Sequence, residues 1–271
     1  MTRSLLAVIA AGLFMGPLMA QELPRRLGGA NGPRPAVSDN RPIPRLPDGT
    51  VDLGGVWSGG GPVEDIAKQG GLPDGELERL MLPSAMKLFE SRDPAADPYA
   101  YCMPAGVPRM AADFAWRFVQ WPTTKPTHIW LLYEGNMHSY RQIFLDGRKH
   151  PEDPTPTWFG HSIGWWEGET LVIDTVGFND RFWFDRRGTP HTEQLHIVER
   201  YTRPNYGTLT SAVTLEDPGA LSRPVDLRFA ARLLRPDPRT GVSDLMEFIC
   251  HEDNQYGAAG NFQPGTGAGL K

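Results

Sequence analysis

The chain has 271 residues, is 40% hydrophobic, and carries a formal net charge of -5 with a pI near 5.8. That is apolar enough for a sizeable core, and an acidic balance without a basic block argues against a nucleic-acid partner. Thirty glycines and 26 prolines mean many turns, which favour β structure over long helices.

The first segment, residues 1–20, reads as a secretory signal peptide. Arg3 supplies the charge, Leu5 to Leu18 the apolar stretch, and Ala20 a small residue before Gln21. The run is too short, and too broken by Gly16 and Pro17, for a spanning helix. No later stretch is apolar enough to cross a bilayer, so the expected location is periplasmic or secreted, with no membrane span after cleavage. Residues 21–47 form a Pro/Gly-rich arm, residues 48–256 a single domain, and residues 257–271 a low-complexity flexible tail. In an exported chain the two cysteines, Cys102 and Cys250, suggest a disulfide rather than free thiols.

Within the domain, Asp48-Gly49 marks a turn and a short strand comes next, around Val56 and Trp57. "LPDGELERLMLPSAMKLFESRDP" is the clear helical window, and Pro83 divides it into two short helices. After Cys102 come about nine short runs rich in β-branched and aromatic residues, from "RFVQWP" to "SDLMEFICHED", each bounded by Gly, Pro, Asp or Asn. "WWEGETLV" reads as a hairpin, and Asp146-Gly147 offers another turn. With little room for crossover helices, the expectation is an all-β, antiparallel, lipocalin-like up-and-down barrel with a short N-terminal helical segment. A β-sandwich is the alternative.

The span 134–166 holds three histidines, Tyr140, Arg141, Arg148 and three tryptophans. Period-two counting puts His138, Tyr140, Gln142 and Phe144 on one face and Arg141 and Ile143 on the other. Tyr140 and Arg141 therefore cannot both point inward on a regular strand. His161, Ile163 and Trp165 share a face, Asp174 opposes Leu171, Ile173 and Thr175, and His196 opposes Glu199. Asp174, inside "LVIDTV", is either on a solvent face or a partnered carboxylate able to serve as acid or base. His138, His161, His191 and His196 are candidates to converge, but no spacing matches a metal motif. No metal and no cofactor are expected, and zinc held by histidines from different strands is the alternative. "GHSIG" fits G-x-S-x-G around Ser162, but the residues after it read as a hairpin and not as the helix that a nucleophile elbow needs.

The run "YEGNMHSYRQIFLDGRKHPEDPTPTWFGHSIGWWEGETLVIDTVGFND" resembles a family of exported bacterial proteins of unassigned function. "PDGTVDLGGVW", "CMPAGVPR", "HTEQLHIVERYTRP" and "EFICHEDN" extend the resemblance over most of residues 47–254. It implies an exported single-domain protein whose functional core includes the central run, and it assigns no role to any residue.

These readings lead to an exported enzyme using acid/base chemistry (lyase, isomerase or hydrolase) on a small organic substrate in a barrel cavity. His138, Tyr140, His161, Asp174 and His196 are the catalytic candidates, with Glu199 a second orienting carboxylate. Arg141, Trp158, Trp165 and Trp166 are the substrate-binding candidates. The alternative is a periplasmic ligand-binding or carrier protein without chemistry. Either way the expected partner is a small molecule.

Overall fold

In a computed structural model describing residues 41–135, 139–236, 241, 243–248 and 250, nine strands succeed one another round a closed barrel. They are β1 (Trp57–Gly59), β2 (Trp116–Trp121), β3 (His128–Tyr133), β4 (Tyr140–Phe144), β5 (His161–Glu167), β6 (Thr170–Val176), β7 (His196–Asn205), β8 (Thr208–Glu216) and β9 (Val225–Leu233). The signal peptide, most of the arm, His138 and the tail from residue 257 lie outside the described residues. The end of the arm is fastened to the barrel: Arg45 pairs with Glu169 between β5 and β6, and the Arg41 guanidinium lies 3.7 Å from the centre of the Tyr206 ring.

Alternation drives strand formation. In β9, Val225, Leu227, Phe229 and Ala231 are buried while Asp226, Arg228, Ala230 and Arg232 are exposed. Such a strand is stable only with one face against a core. β6 obeys the same rule, with Leu171, Ile173 and Thr175 inside.

A ring of nine strands cannot alternate direction all the way round, because an odd number forces a parallel pair. That pair is β4–β5, with Ile143 opposite Ser162 and Phe144 opposite Ile163. All other neighbours are antiparallel, including β1 with β9, which closes the ring. The wholly up-and-down expectation is corrected here. Asp146-Gly147 does turn the chain, with Gly147 at φ +79°, but it opens a crossover and not a hairpin. A parallel neighbour cannot be reached by a tight turn, so residues 145–160 carry the chain back along the barrel.

The "WWEGETLV" hairpin forms as β5–β6, turning through Gly168 at φ +62°. The helical window divides as expected into α2 (Glu76–Leu80) and α3 (Pro83–Ser91), with Pro83 in the first turn of α3; α1 (Ile66–Gln69) precedes them. The expected last strand, 243–253, lies partly outside the described residues. Residues 243–248 have no regular structure, and the short segment at Trp57 supplies the ninth strand.

Two apolar clusters fill the interior. Trp57, Trp116, Phe118, Leu131 and Ile173 belong to one, while Phe178, Phe182, Leu195, Ile197, Leu215 and Leu227 belong to the other with Ile66 and Leu77 of the helices. Truncating a buried tryptophan such as Trp116 to alanine would cost roughly 3–5 kcal/mol. Cys102 and Cys250, 148 residues apart in sequence, are joined in a disulfide. Among the described residues no helix is long and apolar enough to cross a membrane.

Candidate functional site

On the outer face of β5–β8, side chains from four adjacent strands and one loop join in a hydrogen-bonded chain. The parallel β4–β5 junction brings the crossover loop over β5, and its His150 places Nδ1 2.8 Å from His161 Nδ1. His150 Nε2 lies 2.9 Å from Asp174 Oδ1, and His196 Nε2 lies 3.0 Å from the same oxygen. His196 Nδ1 then meets Glu216 Oε2 at 3.1 Å. Register accounts for the alignment: Ile163 faces Asp174, Asp174 faces Val198, and His196 faces Glu216.

The acceptors fix the protons. An ionised carboxylate only accepts, so both imidazole nitrogens facing Asp174 carry hydrogen. His196 also faces Glu216, an arrangement that favours the imidazolium, which donates from both nitrogens. The hydrogen bond to Asp174 is the main cause that lifts His196 above the usual imidazole range, with burial opposing and Glu216 adding to it. Burial pushes the Asp174 carboxyl up, but the hydrogen bonds from His196 and His150 outweigh it and hold the group below its usual range. In the neutral form of His150, Nδ1 is a lone pair and accepts the Nδ1–H of His161. The lone pair of His161 then sits on Nε2, which makes no hydrogen bond among the described residues. Burial, reinforced by His150 and Arg148, pushes His161 below the usual imidazole value.

Rings surround this end of the chain. His161 stacks on Phe144 at 5.4 Å, and His128, which in turn stacks on Trp130, meets Phe144 edge-on at 5.5 Å. The Arg148 guanidinium stands 3.7 Å from the centre of the Phe144 ring, with Asp146 accepting from its Nε at 2.9 Å.

The candidates read from the sequence are therefore divided. His161, Asp174 and His196 come together, but on the outside of the barrel and not in an interior cavity. The reason is packing and charge: the interior is filled by the two apolar clusters, and these titratable groups keep access to water. Tyr140 is also outward and 62% exposed, while Arg141 points inward. Of the tryptophans, Trp158 and Trp166 pack against the apolar clusters, and Trp165 is outward with its indole N–H donating to Glu167.

His191 does not join the chain. It is buried against the Phe182 ring with Nε2 3.0 Å from the Phe182 carbonyl oxygen, and burial pushes its pKa down to about 3. Ser162 lies inside β5 at 1% exposure, bonded to Thr175 and Arg141, in a strand and not at an elbow. Glu199 is also inside, paired with Arg141 and accepting from the Tyr201 hydroxyl at 2.9 Å.

His150 and Glu216 were not among the sequence candidates. His150 sits in a Pro-rich loop with no period to give it a face, and Glu216 ends a strand whose partner is known only once register is known. Their signal was the pairing of β7 with β8 and the parallel step before β5. His150 and His196 each turn their two nitrogens to different neighbours, and among the described residues no group of three His, Cys, Asp or Glu is arranged to hold a metal ion.

No family model, no curated protein and no solved structure matches the chain.

Proposed function

We propose that the chain is an exported enzyme that performs acid/base chemistry on a small organic substrate, with Nε2 of His161 as the base. The observation that carries this reading is the relay Asp174–His150–His161, which anchors Nδ1 of His161 and leaves Nε2 with the lone pair. An imidazole held through one nitrogen, with a lone pair on the other, is what proton abstraction or water activation requires. Asp174 orients His150 and balances the charge that develops when His161 takes a proton. Arg148, close enough to influence His161, is already paired with Asp146, so the pair lends His161 little net charge. Proton abstraction leads to a lyase or isomerase, and water activation to a hydrolase. The signal-like N-terminal segment, the Cys102–Cys250 disulfide and the resemblance to exported bacterial proteins support a periplasmic or secreted location.

The test compares wild type with His161→Ala on a panel of small esters, lactones, epoxides and β-hydroxy acids. The expected result is turnover of one class by wild type, reduced about 10²–10⁴-fold in the variant. Carbethoxylation by diethyl pyrocarbonate, with mass spectrometry as readout, reports on the same nitrogen without a substrate. Turnover that survives His161→Ala removes His161 as the base. Silence across the panel, combined with His161 labelling no faster than N-acetylhistidine, removes the reading altogether.

A further inference from the structure

The outer face of β2–β4 carries rings where an exterior is usually charged. Trp121 is 57% and Tyr140 62% exposed, and Trp130 points outward on β3, the strand between theirs. Exposed rings grouped in this way mark a binding surface. Register leads from them to the imidazole chain. Trp130 lies opposite Gln142, and Ile143 opposite Ser162, so Gln142 and His161 stand side by side one residue earlier, on the outside. At about 4.8 Å per strand, Trp130 and His161 are roughly 10 Å apart.

Hydrogen-bonding groups are interleaved with these rings. The Gln142 amide, the Tyr140 hydroxyl and the Trp130 indole N–H make no hydrogen bond among the described residues. Farther round the barrel, by contrast, His196 pairs with Glu216 and Thr214 with Asp226 across strands. Arg117, outward on β2 and half-buried, decides the charge of the face. Its Nε is buried without an acceptor, and its guanidinium makes no ion pair among the described residues. No carboxylate occurs among the outward side chains of β2, β3 and β4. Arg228 on β9 also lacks an ion pair, but it is exposed and water serves it. A guanidinium half withdrawn from water is a charge without compensation, and an anionic group at its open edge supplies it.

We infer that this face binds a short uronic-acid oligosaccharide lying across the strands, with pyranose faces on Trp121 and Trp130, hydroxyls on Gln142 and Tyr140, and a carboxylate at Arg117. The combination selects the class. An apolar partner would leave the amide, hydroxyl and indole N–H unmet, and a nucleic-acid strand needs several cations where this face has one. A pyranose presents C–H faces to rings and hydroxyls to the polar groups between them, and a uronate adds a carboxylate. Arg117 and His161 are three strands apart, about 15 Å, a span suited to a few sugar units. As the substrate class of the His161 site, the inference rests on the catalytic reading above; binding to the face does not.

The experiment is calorimetric titration of the full chain, and of its His161→Ala variant, with trigalacturonate, trimannuronate and neutral maltotriose at matched ionic strength. Saturable one-to-one binding of a uronate is expected in both proteins, at least about tenfold tighter than maltotriose. Arg117→Gln should weaken the uronate about tenfold and bring it level with maltotriose, while Trp121→Ala should weaken both sugars about tenfold. Trp121 is exposed, so its variant keeps the readout if Arg117→Gln fails to fold. Maltotriose binding as tightly as either uronate, no saturable uronate binding below about 10 mM, or an affinity indifferent to both variants would each overturn the proposal. So would a dimer in sedimentation that Trp121→Glu dissociates, because the face would then belong to a second copy of the chain. A failed titration strikes the face and leaves His161 as the base for another substrate. Uronate binding with turnover that survives His161→Ala strikes the base and leaves the face.

Discussion

Arg141 Nη1 and Glu199 Oε2 meet at 2.5 Å inside the barrel, and each side chain is only 1% exposed. β4 and β7 are not neighbours. To reach Glu199, the guanidinium spans the inner faces of β5 and β6, donating to Ser162 Oγ at 3.0 Å and Thr175 Oγ1 at 2.6 Å. Ser162 and Thr175 come directly after His161 and Asp174 in sequence, so the inner network holds the two strands that carry the outer imidazole chain. Removing one partner leaves a buried charge without compensation. Arg141→Met or Glu199→Leu alone should each cost about 3–5 kcal/mol, while the double variant recovers most of that loss. Urea unfolding measures all three, and equal losses in singles and double would show that the pair does not behave as a buried ion pair. The same Arg141→Met should speed hydrogen exchange at Ser162 and Ile163, because the parallel β4–β5 junction is short.

His150 should decide the tautomer of His161. Long-range nitrogen–proton spectra of the wild type should show His161 protonated at Nδ1, and His150→Phe should abolish that preference. The His161 titration midpoint should lie below the ordinary imidazole value of 6.5. If His161 is the base, the acidic limb of the rate profile should share that midpoint. A midpoint above the ordinary value, or an Nδ1 preference that persists in His150→Phe, contradicts the relay.

His196 and Asp174 give opposite signs of pH dependence. His196 is raised in the folded state, so its contribution to stability is complete below the unfolded value of about 6.5 and is lost as pH rises through the folded value. Asp174 is lowered, so its contribution is present above the unfolded value of about 3.9 and is lost as pH falls through the folded value. Thermal melting of wild type and His196→Gln should therefore differ most near pH 6 and converge on the alkaline side. Curves that stay parallel through that range would show that His196 is not held as an imidazolium.

Alternation made much of this legible beforehand. "YRQIF" already separated Tyr140 from Arg141, and "TLVIDTV" already opposed Asp174 to Leu171 and Ile173, because side-chain direction in a strand depends only on parity. Parity gives which residues share a face but not which face is inside, and tryptophan-rich strands are apolar on both. Parity therefore leaves open that His161 and Asp174 face the exterior and not the hollow, and it is His150 that links them. The parallel step at β4–β5 was hidden because Asp146-Gly147 carries the chemistry of a hairpin turn, whereas the direction of the next strand is set by ring closure far away in sequence. His150 owes its place to that step, so it could not be nominated from local pattern.

The disulfide ties the irregular C-terminal segment to the front of the barrel. Beyond β9, the backbone N–H of Met246 donates to Glu134 at 3.0 Å and Ser243 Oγ to the Leu234 carbonyl at 3.2 Å, and none of residues 243–248 is buried. The Cys102–Cys250 bond closes a loop of 148 residues, so the chain-entropy model assigns it about 5 kcal/mol, relative to the reduced chain. Reduction, or Cys102→Ala with Cys250→Ala, should lower the unfolding free energy measured in urea by most of that amount, and the midpoint with it, without abolishing the barrel, whose strands all precede Cys250. The change should also free Phe248 from Phe114, now 4.6 Å apart, and raise protease sensitivity after Leu234 while β2–β9 remain protected. An unchanged midpoint on reduction would mean that the unfolded chain gains little freedom when the loop is opened. Loss of the whole barrel would mean that the segment after β9 belongs to the cooperative core.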